Sequence, residues 1–253
     1  MMDHETATVT GKEPIWMNES RNTATIVGVL FIIATVFLFI GEFFYAPILE
    51  SPAYLTITYP NRTLVVFGIL LEFACVLAIP LIAMFLYPVL RKHSEVLALG
   101  YVGFRLFEAV LFVSIEINKL SLIAVSQAHL ERGGADASYF QVISNTTQAL
   151  NEWTFSMYLL VFTIGALMLY SVLYKSRLVP RLISVWGLLA AMLLFTGTVL
   201  IMLDVLPDIS GVVLELIFAL PIALNEMVLA IWLIVKGFNP SALQHGEART
   251  TLA

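Results

Sequence analysis

Charge is what this sequence has least of. Lysine, arginine, aspartate and glutamate together make up 12% of its 253 residues, against about 25% in an ordinary soluble domain. Hydrophobic residues make up 60%, and the mean hydropathy is +0.92. That balance places the chain in the membrane class. Cysteine occurs once, as Cys75 in an apolar run. A disulfide framework is excluded, and Cys75 reads as a packing residue. Histidine occurs at His4, His93, His129 and His245, all in expected loops or tails. The apolar runs therefore carry no imidazole, so an intramembrane histidine metal site has no ligands. Ser–His and Cys–His nucleophile pairs lack a member for the same reason. Neither metal nor cofactor is expected. There is no glycine-rich phosphate loop, no strand-rich segment and no feature suited to nucleic acid. The net charge of -5 says little about partners, because most acids lie in or near the apolar runs.

Those runs are what is present. A hydrocarbon core of ~30 Å needs about 20 apolar residues per helix. On that basis the chain is all-α, a polytopic transmembrane helical bundle of about six spans, at 23–45, 63–90, 96–126, 151–174, 181–203 and 211–236. Residues 1–20 read as a disordered cytoplasmic tail, 21–238 as a single transmembrane domain and 239–253 as a flexible cytoplasmic tail. The first run is too long for a signal-peptide core and lacks a clean cleavage site, so it is retained as a span. Pro80, Pro88 and Pro221 are expected to kink or end their helices. The loop 127–150, with Gly133, Gly134 and Asp136, is expected to cap a short extension of the fourth span. Lys12, Arg21, Arg91, Lys92, Lys175, Arg177, Arg181, Lys236 and Arg249 fall on one side of the spans, and only Arg62 and Arg132 on the other. The positive-inside rule then puts both termini in the cytoplasm. Tyr45, Trp153 and Tyr174 lie near span ends, where an aromatic belt is expected.

The third span breaks the apolar pattern. YVGFRLFEAVLFVSIEINKL, from Tyr101 to Leu120, carries Arg105, Glu108, Glu116 and Lys119. At ~100° per residue the four fall within an arc of about 80°, shared by Tyr101 and Phe112. Gly103, Phe107, Val110, Ser114 and Ile117 occupy the other side. A charge at the bilayer centre costs at least ~2.5–3.5 kcal/mol, so the stripe must face protein or water.

Depth sorts the remaining charges. At ~1.5 Å per residue, Arg105 lies roughly 13 Å and Glu226 about 15 Å inside the cytoplasmic edge. Glu108 and Glu72 fall near that level, giving an inner cluster of Arg105, Glu108, Glu72 and Glu226, with Asn225 alongside. Glu42, Glu116, Lys119, Glu152 and Glu215 form an outer polar group. Glu215 and Glu226 have the same spacing as Arg105 and Glu116, so spans 3 and 6 are expected to meet at two levels. Carboxylates outnumber cations in both groups. Either some carboxyls keep their protons or a cation neutralises them.

The segments GFRLFEAVL, SRLVPRLISVWGLL and LPIALNEMVLAIWLIVKGF resemble the signature stretches of a bacterial multi-pass membrane family, catalogued as a domain of unknown function, family 4386. The likeness runs from Arg21 to Phe238, and the family's recurrent charged positions match Arg105, Glu108 and Glu226. The resemblance implies a bacterial cytoplasmic-membrane protein and supplies no activity, substrate or cofactor.

Three functional readings follow. In the first, a polar intramembrane pocket binds a small molecule or ion, as in a transporter or sensor. Arg105 anchors an anionic group or a carboxylate, Glu108 and Glu226 exchange protons or bind a cation, and Pro221 opens backbone carbonyls to the pocket. In the second, paired carboxylates do acid–base chemistry in an intramembrane enzyme; the missing histidines weigh against it. In the third, Arg105 pairs with Glu108 three residues away and Glu226 adds a second acceptor. The ion network is then purely architectural, or supports a partner.

Overall fold

The computed structural model describes residues 15–133, 137–205 and 215–244. Six helices are long and apolar enough to cross a membrane. They are α1 (Ile15–Leu49), α3 (Arg62–Leu90), α4 (Glu95–Glu131), α5 (Ala137–Ser176), α6 (Arg181–Met202) and α7 (Leu220–Val235). A short helix α2 (Tyr54–Ile57) follows α1, and a π-helical turn, Glu215–Ala219, runs into α7. Among the described residues there is no strand.

Each span packs on the next around a ring: α1 on α3, α3 on α4, α4 on α5, α5 on α6, α6 on α7, and α7 back on α1. The third and sixth spans, α4 and α7, therefore stand across the ring rather than side by side. The largest core cluster runs along this interior and includes Phe31, Leu86, Tyr101, Leu173 and Leu233. Large apolar residues such as Phe43, Leu70, Met84 and Val110 are exposed on the outside, the side a bilayer would cover.

The sequence explains several boundaries. Ser94 caps α4, its hydroxyl accepting from Leu97 N at 3.5 Å, and Glu95 follows in the first turn, where the helix dipole favours an acid. Pro221 sits in the first turn of α7, where its missing N–H has no helical acceptor to serve. The break expected at Pro221 takes the form of the preceding π-helical turn. Pro80 and Pro88 lie inside α3 without ending it.

Three expected boundaries shift. Residues 127–150 are not a loop: α4 runs on to Glu131 and α5 begins at Ala137. At ~1.5 Å per residue these helices measure about 55 and 60 Å, so the pair projects well beyond a ~30 Å core. Hydropathy marks only the part that lipid covers, whereas this polar extension is held by packing. Tyr54, Leu55 and Phe140 bury against one another there, and Ser126 Oγ donates to Leu55 O at 2.8 Å while accepting from Tyr59 N at 2.9 Å. His129, expected in a loop, is a buried residue of α4 set edge-on to Phe140. The boundary at residue 20 falls inside α1, which begins at Ile15. The boundary at 239 falls inside a packed segment, because Asn239 N donates to Leu178 O at 2.9 Å and Ala242 and Leu243 are buried.

Candidate functional site

Helix α4 turns its charged stripe inward. Tyr101, Arg105, Glu108, Phe112, Glu116 and Lys119 are all buried, while Gly103, Phe107, Val110 and Ile117 on the opposite face are exposed. Two clusters form along the stripe.

The first lies between α1, α3 and α4. Lys119 Nζ donates to Glu72 Oε2 at 2.6 Å, to Glu116 Oε1 at 2.9 Å and to Tyr45 Oη at 2.8 Å. Tyr45 in turn donates to Glu72 Oε1 at 2.7 Å, and the Lys119 ammonium lies 4.1 Å from the Tyr45 ring centre. All three ammonium hydrogens thus have an oxygen, which is what a buried charge requires. Glu116 Oε2 is buried without a partner. Two carboxyl groups share one cation here.

This placement revises the expected grouping. Glu72 of α3 belongs with Lys119 rather than with Arg105, and Glu116 bonds Lys119 on its own helix, α4, rather than meeting the sixth span. Tyr45 is a ligand of the cluster rather than a member of an aromatic belt. Glu42 is exposed on α1 but interacts electrostatically with Tyr45. Glu152 is exposed on α5 and away from these bonds. The Glu215 side chain lies outside the described residues.

The second cluster lies nearer the end of the bundle that carries Arg91 and Lys175. Arg105 Nη1 donates to Glu108 Oε2 at 2.9 Å and Oε1 at 3.2 Å, a pair three residues apart on one helix and almost fully buried. The guanidinium lies 5.7 Å from the Phe162 ring centre and 5.8 Å from that of Tyr101. Glu226 interacts electrostatically with Arg105 from across the ring, as it does with Glu108, Tyr101, Tyr158 and Tyr170. Glu226 keeps some exposure as a residue, and its carboxylate makes no direct hydrogen bond or ion pair among the described residues. Asn225, fully buried, donates from Nδ2 to Ile183 O on α6 at 3.0 Å.

Several polar atoms of this cluster are buried without partners: Tyr101 Oη, Arg105 Nε, Tyr170 Oη, Ser184 Oγ and Asn225 Oδ1. They come from α4, α5, α6 and α7. Their nearness follows from local contacts. The Gly165 backbone of α5 lies against Arg105 and Tyr101, Gly187 of α6 lies against the Tyr170 ring, and Ser184 follows the carbonyl that Asn225 bonds. Buried polar atoms are nearly always paired, so these five orphans, three of them on residues that interact electrostatically with Glu226, mark polar capacity to spare. Donors and acceptors are both among them. Sequence reasoning did not single out Tyr158, Tyr170 or Ser184; a lone tyrosine or serine in an apolar span gives no periodic signal.

Among the described residues no three histidine, cysteine or carboxylate side chains come together as a metal-binding group. Cys75 is buried in a cluster with Val76, Ile79, Phe112 and Ile115.

Fold and site together define a class: a six-span helical membrane protein with two buried ion clusters strung along one helix. The chain belongs to the family described as Domain of unknown function (DUF4386), whose model matches residues 26–237. No curated protein and no solved structure matches it.

Proposed function

We propose that this protein binds a small molecule or ion inside the membrane, at the polar group formed by Arg105, Glu108, Glu226, Tyr101, Tyr170, Ser184 and Asn225, and that it works as a transporter or sensor. The observation that carries this reading is the set of five buried polar atoms without partners on α4, α5, α6 and α7, three of them on Tyr101, Arg105 and Tyr170, which interact electrostatically with Glu226. In the first cluster, by contrast, the cation is satisfied: Lys119 has an oxygen for each of its three hydrogens. In this reading Glu226 receives a cationic group or a proton, and Arg105, anchored by Glu108, offers its free Nε and the two tyrosine hydroxyls to an acceptor. Glu72 and Lys119 hold α3 to α4 nearby.

The same proposal places the protein in a bacterial cytoplasmic membrane with both termini in the cytoplasm. The support is the lysine and arginine excess at one end of the bundle, Arg21, Arg91, Lys92, Lys175, Arg177, Arg181 and Lys236 against Arg62 and Arg132.

The test is a thermal-shift screen of purified protein against inorganic ions, small amines and small carboxylates, followed by Glu226→Gln. A true ligand raises the midpoint with the logarithm of its concentration. The expected result is at least one stabiliser whose effect disappears in Glu226→Gln, while that variant keeps its helical circular dichroism. A shift that survives Glu226→Gln, or no shift with any compound, refutes the assignment. Flux of the identified compound into proteoliposomes separates a transporter from a sensor.

A further inference from the structure

A second candidate site stands apart from the ion clusters, at the end of the bundle where α5 turns into α6 and α7 ends. A cavity of about 510 Å³ opens there, and Arg177, Arg181, Lys236 and Trp232 line it together with residues 178–180 and 237–240. Among the described residues no aspartate or glutamate lines it. Among the described residues none of the three cations has a carboxylate within ion-pair distance. Three cationic residues thus line one concavity with no carboxylate paired to them among the described residues.

The walls are built rather than incidental. Arg177 and Gly237 both adopt left-handed backbone, at φ 58 and 73, so each helix end turns sharply into the cavity rim. Asn239 joins the two turns. Its N–H donates to Leu178 O at 2.9 Å, and its Nδ2 donates to Arg177 O at 3.4 Å. Arg181 is laid over the Tyr174 ring at 5.2 Å. Helix α6 starts at this rim behind Pro180 with no side chain capping its first turn, but α5 and α7 end at the same rim, so opposed helix dipoles leave the positive field to the three cations.

The surroundings select the source of the anion. Immediately next to the rim, along the bundle exterior, α6 exposes Leu182 and Leu189 and α7 exposes Ile231 and Val235. A cationic concavity at the end of apolar spans, with bare aliphatic helix faces leading away from it, matches a molecule with an anionic head and hydrocarbon tails. A cavity of this size holds one phosphate-bearing headgroup. We infer that the cavity binds the phosphate of an anionic phospholipid, with the acyl chains lying along α6 and α7. This inference is independent of the intramembrane site.

The test uses the full chain in detergent with three probes: dioleoylphosphatidylglycerol, dioleoylphosphatidylcholine and inorganic phosphate. Phosphatidylglycerol is expected to raise the melting temperature, with little effect from the other two at equal concentration. Arg177→Gln, Arg181→Gln and Lys236→Gln are each expected to weaken phosphatidylglycerol binding about fivefold, read as a higher concentration for the half-maximal shift. The triple variant is expected to lose the shift while keeping its helical circular dichroism. Arg91→Gln, a cation at the same end but outside the cavity, is expected to retain it. Equal shifts with the two lipids, an unchanged half-maximal concentration in the single variants, or an equal loss in Arg91→Gln would overturn the site. Inorganic phosphate matching phosphatidylglycerol would overturn the assignment to lipid.

Discussion

Lys119 and Arg105 sit on one face of one helix and meet different fates. Lys119 has three oxygens for three hydrogens, and its two carboxylates lose their only bonded cation if it is removed. Breaking a buried ion pair from one side costs about 3–5 kcal/mol. Lys119→Met is therefore expected to lower stability by that amount, read as a drop in the monodisperse fraction and in the denaturation midpoint. Adding Glu72→Gln and Glu116→Gln is expected to recover most of the loss, because the uncompensated charge is what hurts. A triple variant as unstable as Lys119→Met would show that shape, not charge, governs this cluster. Arg105 is different: its Nε and the nearby Tyr170 hydroxyl have no partner. Tyr170→Phe deletes an unbonded hydroxyl, so its stability cost is expected to stay within about 0.5 kcal/mol. In the same variant the shift given by any ligand found in the screen is expected to shrink. A large stability loss with the ligand shift intact would assign Tyr170 to packing alone.

The elements hold these side chains in place by close backbone contact. Gly41 of α1 crosses Gly68 of α3, and a Cβ added at Gly41 would lie 2.5 Å from Glu72 Cγ and 2.6 Å from Gly68 O. Small residues at such crossings let membrane helices approach. Gly41→Leu is thus expected to force α1 off α3 and displace Glu72 from Lys119, costing about 1–3 kcal/mol as overpacking does. The measurement is the denaturation midpoint against Gly103→Leu, a matched control with open space around it that is expected to change little; equal losses would refute the crossing. This element scale also separates what was legible in the sequence from what was not. The inward stripe of α4 was legible, because a 3.6-residue period fixes which side chains share a face. The partner of Lys119 was not, because counting residues locates Cα atoms and not charged ends. Lys119 lies roughly 36 Å from the Arg91 end and Glu72 roughly 27 Å from it, by rise per residue. Side chains lean toward the N-terminus of their own helix, and α3 and α4 run in opposite directions. Glu72 therefore reaches outward, Lys119 reaches back, and two residues assigned to different levels bond at 2.6 Å. The polar extension of α4 and α5 was illegible for another reason: it obeys packing with Tyr54 and Phe140 rather than a lipid-derived pattern.

At the scale of the whole molecule, ring closure explains why one helix carries so much charge. With α7 packed back on α1, the interior face of α4 is shielded from lipid on both flanks and looks across to Glu226. The charges face an enclosed polar interior while Phe107, Val110 and Ile117 face outward. Such a ring has two ends, and they differ in cations. The end with Arg21, Arg91, Lys92, Lys175, Arg177, Arg181 and Lys236 outweighs the end with Arg62 and Arg132, and the positive-inside rule then predicts the richer end inside. The ends can be told apart by labelling, because both offer exposed positions and the native Cys75 is buried. Glu131→Cys, exposed at the tip of α4, is expected to react with a membrane-impermeant maleimide in intact bacterial cells. Ser241→Cys, exposed beyond α7, is expected to react only after permeabilisation. The reverse pattern would place the basic cavity and the termini outside the cell. Labelling of both in intact cells would mean mixed insertion, which the one-sided distribution of lysine and arginine is built to prevent.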